Sequence, residues 1–263
     1  MHSNNHLPEP ILWLQLIAVC MIAIGLYLIA MVISNRRFRK SWSIWKTLSF
    51  GIGVVFIFSA IIGPYAINAH SDFYAHMTNH LLLGMLAPIL IAFASPVTLF
   101  LRVLNVKTAR RVTEWMKSWP ILLLTHPLVA ALLSVGGLWI LYTTSLYALM
   151  QQNVLLHMFV HVHVFIASYL FTISIISFDY LPHQWSFRFR SIVLLLALAA
   201  HGILSKYLYA HPPEGVSRIG AEKGSMLMYY GGDASEILLI LIFCTQWYKS
   251  TKPRVSTSTH SFV

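Results

Sequence analysis

The sequence predicts an all-α polytopic membrane protein, seven transmembrane helices with the N-terminus outside and the C-terminus cytoplasmic. Three observations carry this reading: an apolar composition, seven long uninterrupted apolar runs, and Lys and Arg residues that fall on alternate loops. Of 263 residues, 57% are hydrophobic and 10% are charged, where an ordinary soluble chain is about 25% charged. The mean hydropathy is +0.70. The runs lack the period-two alternation of barrel strands, so helices are expected.

Taken in order, span one covers Ile11–Ile33. It follows a leader without Lys or Arg, MHSNNHLPEP, and is closed by Arg36-Arg37-Phe38-Arg39-Lys40, a stop-transfer pattern rather than a cleavable signal peptide. Span two covers Thr47–Ala66 and contains Pro64. Span three, Tyr74–Phe100, contains Gly84 and Pro88, and span four, Ile121–Tyr147, contains Pro127. These prolines are expected to kink or end their spans, because each removes a backbone donor. Spans five, six and seven cover Val154–Phe178, Ile192–Ala210 and Ser225–Trp247. The loops around 102–120 and 211–224 are too short to fold alone. Residues 1–250 therefore read as a single seven-helix membrane domain, and 251–263 as a Ser/Thr-rich, disordered cytoplasmic tail.

The charge balance is +10, from 18 Lys+Arg against 8 Asp+Glu. In a soluble protein that would raise nucleic acid as a partner. Here fifteen of the eighteen basic residues lie after span one (Arg36, Arg37, Arg39, Lys40, Lys46), after span three (Arg102, Lys107, Arg110, Arg111, Lys117), before span six (Arg188, Arg190) and after span seven (Lys249, Lys252, Arg254). Those positions share one side, which the positive-inside rule makes the cytoplasm. The charge is read as topology, with the lipid bilayer as its partner and no nucleic acid. Cys20 and Cys244 stand apart in apolar runs and form neither a CxxC pair nor a disulfide framework.

With this orientation the histidines gather on one side. His70, His76 and His80 fall at the outer end of span three, His157, His161 and His163 in the outer half of span five, and His201 near the middle of span six. At about 1.5 Å per residue, His80, His161 and His201 are expected roughly 9–15 Å below the outer boundary. Ionisable groups inside a bilayer are costly and face the bundle interior, so a functional site is their default reading. Two of the runs, His76-Met-Thr-Asn-His80 and His157-Met-Phe-Val-His161, share the pattern HMxxH. The i,i+4 spacing puts two imidazoles on one helix face, within reach of one metal ion or of one ion each. His163 is turned by about 200° from His161 and cannot point the same way. No Glu follows the first His, so this is not a zinc-protease motif. Imidazole with thioether suits copper, particularly Cu(I), and leaves zinc or iron open; hydrogen bonding between helices is the structural alternative. Asp72 extends the first face by a turn. Asp233 and Glu236 lie one turn apart in span seven, as ligands, partners of a histidine, proton carriers, or an ion pair with Lys206. Met85, Met226 and Met228 read as packing residues.

Four segments taken together resemble a known family. They are His76-Met-Thr-Asn-His-Leu-Leu-Leu-Gly-Met-Leu-Ala-Pro88, His157-Met-Phe-Val-His-Val-His163, Ala200-His201-Gly-Ile-Leu-Ser-Lys206 and Met228-Tyr-Tyr-Gly-Gly-Asp233-Ala-Ser-Glu236. In this order and register they are similar to the seven-span CtaG family of bacterial cytochrome c oxidase assembly proteins, a group distinct from the single-span copper chaperone that shares the name. Ser168 departs from the pattern, where a Gly is expected; the change bears on local packing. The resemblance implies a non-catalytic role in maturing a haem–copper oxidase in the bacterial cell membrane, with His76, His80, His161, His163, His201 and Asp233 as the positions of interest.

The combined expectation is a copper-binding assembly factor that delivers the ion to a cytochrome c oxidase subunit. Its metal ligands would be drawn from His76, His80, His157, His161, His163 and His201, with Asp72 and Asp233 in support. Release to a partner calls for fewer protein ligands per ion than a closed structural site uses. A copper donor protein and an oligomeric state are left open. The alternatives are a b-type haem held by histidines from two facing spans and a proton or metal transporter using Asp233 and Glu236. A retinal protein is excluded, because span seven carries no lysine for a Schiff base.

Overall fold

The computed structural model describes residues 9–62 and 72–252, which form helices joined by short connections with no strand among them. In chain order these are α1 (Glu9–Arg37), α2 (Ile44–Ile62), α3 (Phe73–Leu81), α4 (Ala87–Ala94), α5 (Pro96–Val103), α6 (Val106–Met116), α7 (Trp119–Leu124), α8 (Pro127–Ala131), α9 (Gly137–Thr143), α10 (Leu146–Gln152), α11 (Val154–Ile175), α12 (Phe187–Ala210) and α13 (Arg218–Thr251). Among the described residues six helical stretches are long and apolar enough to cross a membrane. They become seven when Pro127–Thr143 and Leu146–Gln152, bent by 81° at their junction, count as one span. His70, Pro64 and the tail beyond Lys252 lie outside the described residues.

The stretch Phe73–Val103 is the centre of the bundle. Its apolar window is 56% buried, against 11% for the one in α1. It packs against α2, α11 and α13, while α12 lies beside α13 and α1 covers α2 and α5. The outward residues of α1, such as Leu14, Ile22, Leu26 and Ile29, are exposed and apolar, as a lipid-facing surface requires.

Two proline sites and a histidine contact explain why the spans are not straight. Leu82–Leu86 winds as a π turn immediately before Pro88. Pro88 has no N–H to give and its ring crowds the preceding turn, and a widened turn accommodates both. The central span then breaks at Ser95, whose φ of 54° is left-handed. Pro96 follows and disfavours a helical conformation in the residue before it. Ser95 is held there by its own hydroxyl, which donates to the Phe178 carbonyl at 2.9 Å and accepts from Lys46 Nζ at 2.8 Å. The second π turn, Leu132–Gly136, sits where His163 reaches across from α11.

Span four departs from its predicted range. The long apolar stretch starts at Pro127, after a break at Thr125–His126, and Ile121–Leu124 belongs to the separate α7. Its far end is likewise interrupted at Thr144–Ser145, placing Tyr147 on α10. Span three begins and ends within three residues of the expected Tyr74–Phe100, and span five begins at Val154 as expected.

The central span separates two unlike ends. At one, Arg37 Nη1 donates to the Val103 and Leu104 carbonyls at 3.1 and 3.0 Å, and Arg102 donates to the Lys40 carbonyl. Asp179, buried nearby, accepts from the Val97 and Thr98 amides at 3.0 and 2.7 Å, satisfying orphan donors at the start of α5. At the other end Asp72, Gln151, Glu214 and Ser217 line a polar cavity of about 360 Å³.

Candidate metal site between the central helices

The site is built on α3, whose start is fixed by Asp72. Its carboxylate accepts from the Tyr74 amide at 2.9 Å, an N-cap. Asp72 is exposed and is committed to the helix start, and it also lines the polar cavity above. One and two turns further, His76 and His80 are buried at 4% and 6% exposure. Phe73 and Met77, on the neighbouring buried positions, close against α13 where Gly224 leaves room: a Cβ there would stand 2.5 Å from the Phe73 ring.

The two histidines of α3 turn to different neighbours. His76 shares a 3.0 Å hydrogen bond with the Tyr142 hydroxyl through Nε2, and its ring lies 6.2 Å from that of His161 on α11. His80 lies 6.2 Å from His201 on α12. Thus the HMxxH spacing defines a face, and the pairing runs across helices instead of along one. In the second motif the two rings are neighbours along the helix. His157 and His161 stack face to face at 4.3 Å with planes 5° apart, so their ring nitrogens lie side by side and do not converge on one point. His161 Nδ1 lies 2.9 Å from the His157 carbonyl. A carbonyl only accepts, so Nδ1 carries the proton, and in the neutral ring Nε2 is unprotonated.

At His201 the same logic is stronger. Nδ1 lies 2.9 Å from Glu236 Oε1, with the two side chains 6% and 12% exposed. Nδ1 donates to the carboxylate, and in the neutral ring Nε2 is then the unprotonated nitrogen, the arrangement that orients metal-binding histidines. The Nε2 atoms of His201 and His80 are both buried and have no hydrogen-bond partner. Buried polar atoms are nearly always satisfied, and exceptions call for an explanation. Both residues line one cavity of about 60 Å³, together with Met85, Ser235 and Glu236. Two imidazoles on one ion at about 2 Å metal–nitrogen distance have ring centres roughly 5 Å apart at a tetrahedral angle and just over about 6 Å when collinear, and the 6.2 Å between His80 and His201 matches the collinear limit. The backbone makes space for these rings. A Cβ on Gly232 would lie 2.6 Å from His201 Cε1, and one on Gly84 would lie 3.2 Å from His80.

The remaining expected residues fall elsewhere. His163 faces α8 and α9, its Nε2 3.2 Å from the Leu133 carbonyl and 2.9 Å from where a Gly137 Cβ would stand. Asp233 is half-buried and lines neither histidine cavity, whereas Glu236, one turn on, does. Lys206 does not pair with Glu236; its ammonium sits 5.2 Å above the Tyr229 ring. Ser168, the departure from the family pattern, bonds Ser134 at 3.1 Å across α11 and the second π turn. Met85, read from sequence as packing, lines the cavity and takes a hydrogen bond from Ser235 at 3.5 Å. Among the described residues no three His, Cys, Asp or Glu side chains gather around a single point.

The comparison with known proteins agrees with this architecture. The model of the cytochrome c oxidase caa3 assembly factor family matches residues 25–250, nearly the whole helical bundle. The chain belongs to this family. Its apolar helices make it a multi-pass protein of the bacterial plasma membrane. Among curated proteins it is similar to an uncharacterized protein of Mycobacterium leprae, 27% identical over 195 residues, 71% of this chain and 29% of that protein. An uncharacterized protein of Mycobacterium bovis is 30% identical over 175 residues, 63% of this chain and 26% of the relative. The chain thus spans less than a third of the length of these relatives. No solved structure matches it.

Proposed function

We propose that this family member is a non-catalytic assembly factor that holds copper, as Cu(I), near the outer membrane face and delivers it to a subunit of a cytochrome c oxidase. The observation that carries the reading is the pair of buried, partnerless Nε2 atoms of His80 and His201, one of them oriented by Glu236. Imidazole and the Met85 thioether are donors suited to soft copper. The distribution of Lys and Arg supports an outer placement, since the basic residues cluster away from the histidines along the chain. A donor protein that loads the site and an oxidase subunit that empties it are the partners this role requires.

A haem held by the same histidines fits less well. Pockets for drug-sized organic ligands enclose about 300–1,000 Å³, and the cavity between His80 and His201 is about 60 Å³. The test is metal content and absorbance of one purified, detergent-solubilised sample. Stoichiometric copper without a Soret band supports the proposal, and alanine at His80 or His201 is then expected to lower it. Iron with a Soret band transfers the same histidines to a haem protein. Neither metal, after loading with Cu(I) under reducing conditions, leaves a scaffold or a transporter.

A further inference from the structure

We propose that Met85 is the third donor to the ion held by His80 and His201, and that its thioether makes the site selective for Cu(I) over Zn(II). The inference rests on the copper reading above and adds a ligand and the basis of metal choice.

Helix geometry carries the first part. In a regular helix, at about 100° per residue, Met85 would face about 140° away from His80. Residues Leu82–Leu86 instead form the π turn before Pro88, closed by the Ala87 amide donating to the Leu82 carbonyl. A π turn spreads each revolution over more residues, which carries Met85 back towards the histidine side. It lines the cavity of about 60 Å³ together with His80 and His201. Gly84, in the same turn, leaves room for the His80 ring. The turn thus places one donor and makes space for another.

The composition of the cavity wall singles out the sulfur. Among the described residues no three His, Cys, Asp or Glu side chains surround one point, so a third protein donor has to be of another type. The Ser134 and Ser168 hydroxyls bond each other at 3.1 Å, and the Thr172 hydroxyl donates to the Ser168 carbonyl at 2.8 Å. Glu236 is turned to His201 Nδ1 through Oε1. The neutral donors that remain are the two partnerless Nε2 atoms and the Met85 sulfur. The Ser235 hydroxyl, 3.5 Å from that sulfur and 2.8 Å from the Gly232 carbonyl, holds the end of the side chain against α13. A thioether has a second lone pair, which stays free for an ion.

The same donors choose the metal. The 6.2 Å between the His80 and His201 rings sets their nitrogens near opposite sides of an ion, leaving its waist open to a third, weaker donor. Zinc draws on thiolate, imidazole and carboxylate, and its closed sites are almost always four-coordinate. A neutral thioether is a soft donor that suits Cu(I). Ile89, Leu138, Phe171 and Leu239 make much of the wall apolar, and apolar walls offer little to hold a water that would complete a zinc shell.

The test is anaerobic binding of Cu(I) and of Zn(II), each alone against a competing chelator, by the full-length protein in detergent. X-ray absorption of the copper sample at substoichiometric loading accompanies it. Wild type is expected to show sulfur beside imidazole nitrogen around copper, a readout that needs no variant to insert. Met85→Leu nearly conserves side-chain volume. It should lose that sulfur and weaken Cu(I) by at least the about 10–100-fold that loss of an outer partner costs, with Zn(II) affinity unchanged. Met228→Leu, at a fully buried methionine outside the cavity, should keep both the copper affinity and the sulfur. Copper held by nitrogen alone in wild type, or wild-type affinity and sulfur in Met85→Leu, overturns the proposal and leaves the two-histidine site standing. Equal loss of Cu(I) and Zn(II) in Met85→Leu overturns the selectivity. No copper in wild type overturns the copper reading as well.

Discussion

Glu236 Oε1 lies 2.9 Å from His201 Nδ1 and ties α13 to α12 beside the His80–His201 pair. This contact sets both the rotation of the imidazole and the nitrogen it presents to the cavity. Partners of this kind typically contribute about 10–100-fold to metal affinity. Glu236→Gln keeps the shape of the side chain and removes its charge. It is expected to weaken copper binding by about tenfold or more, with unchanged binding in chelator competition counting against a role for the carboxylate.

Gly232 is the second control over the same ring. A methyl group there would meet His201 Cε1 at 2.6 Å and Nδ1 at 3.2 Å. Relief requires the ring to move away from Glu236 or α12 to shift, and overpacking of this kind costs about 1–3 kcal/mol. Gly232→Ala should therefore lower copper affinity and the thermal midpoint together. Gly51→Ala is the comparison, because its new Cβ meets nothing within 4 Å and Ala is the better helix former. That variant should melt at or above the wild-type temperature with copper content intact.

His163 separates packing from metal binding. Its Nε2 is engaged with the Leu133 carbonyl in the second π turn, and it lines neither histidine cavity. His163→Ala removes that hydrogen bond, with a stability cost of about 1 kcal/mol, and is expected to leave copper stoichiometry unchanged. Loss of copper from a stable, correctly inserted His163→Ala protein would return this residue to the ligand set.

The sequence carried the apolar runs and the divergence of His161 from His163, because hydropathy and helical rotation are local properties. It did not carry the neighbours. The i,i+4 rule puts His76 and His80 on one face, but only packing decides that one meets α11 and the other α12. For the same reason spacing left Asp233 and Glu236 equivalent; a rotation of about 300° between them separates the residue at the cavity from the one beside it. The break at Ser95 had a signal in Pro96 that was masked by continuous apolarity. The buried Asp179 and Arg190 gave no periodic signal. Their partners, the Thr98 amide and the Ile175 carbonyl, are backbone groups exposed by helix ends.

Asp72 allows the capping role to be distinguished from a metal-supporting one. Its carboxylate caps α3 through the Tyr74 amide, four residues before His76, and its removal should fray the turn that leads into the site. Asn caps about as well as Asp, whereas Ala costs about 0.5–2 kcal/mol. Asp72→Ala is therefore expected to lower the thermal midpoint in detergent and to weaken copper binding indirectly. Asp72→Asn should restore both, since it keeps the cap and loses only the charge. If Asp72→Asn matches wild type in stability and yet loads Cu(I) more weakly, the carboxylate acts on the ion itself, and the polar cavity it shares with Glu214 becomes part of the loading route.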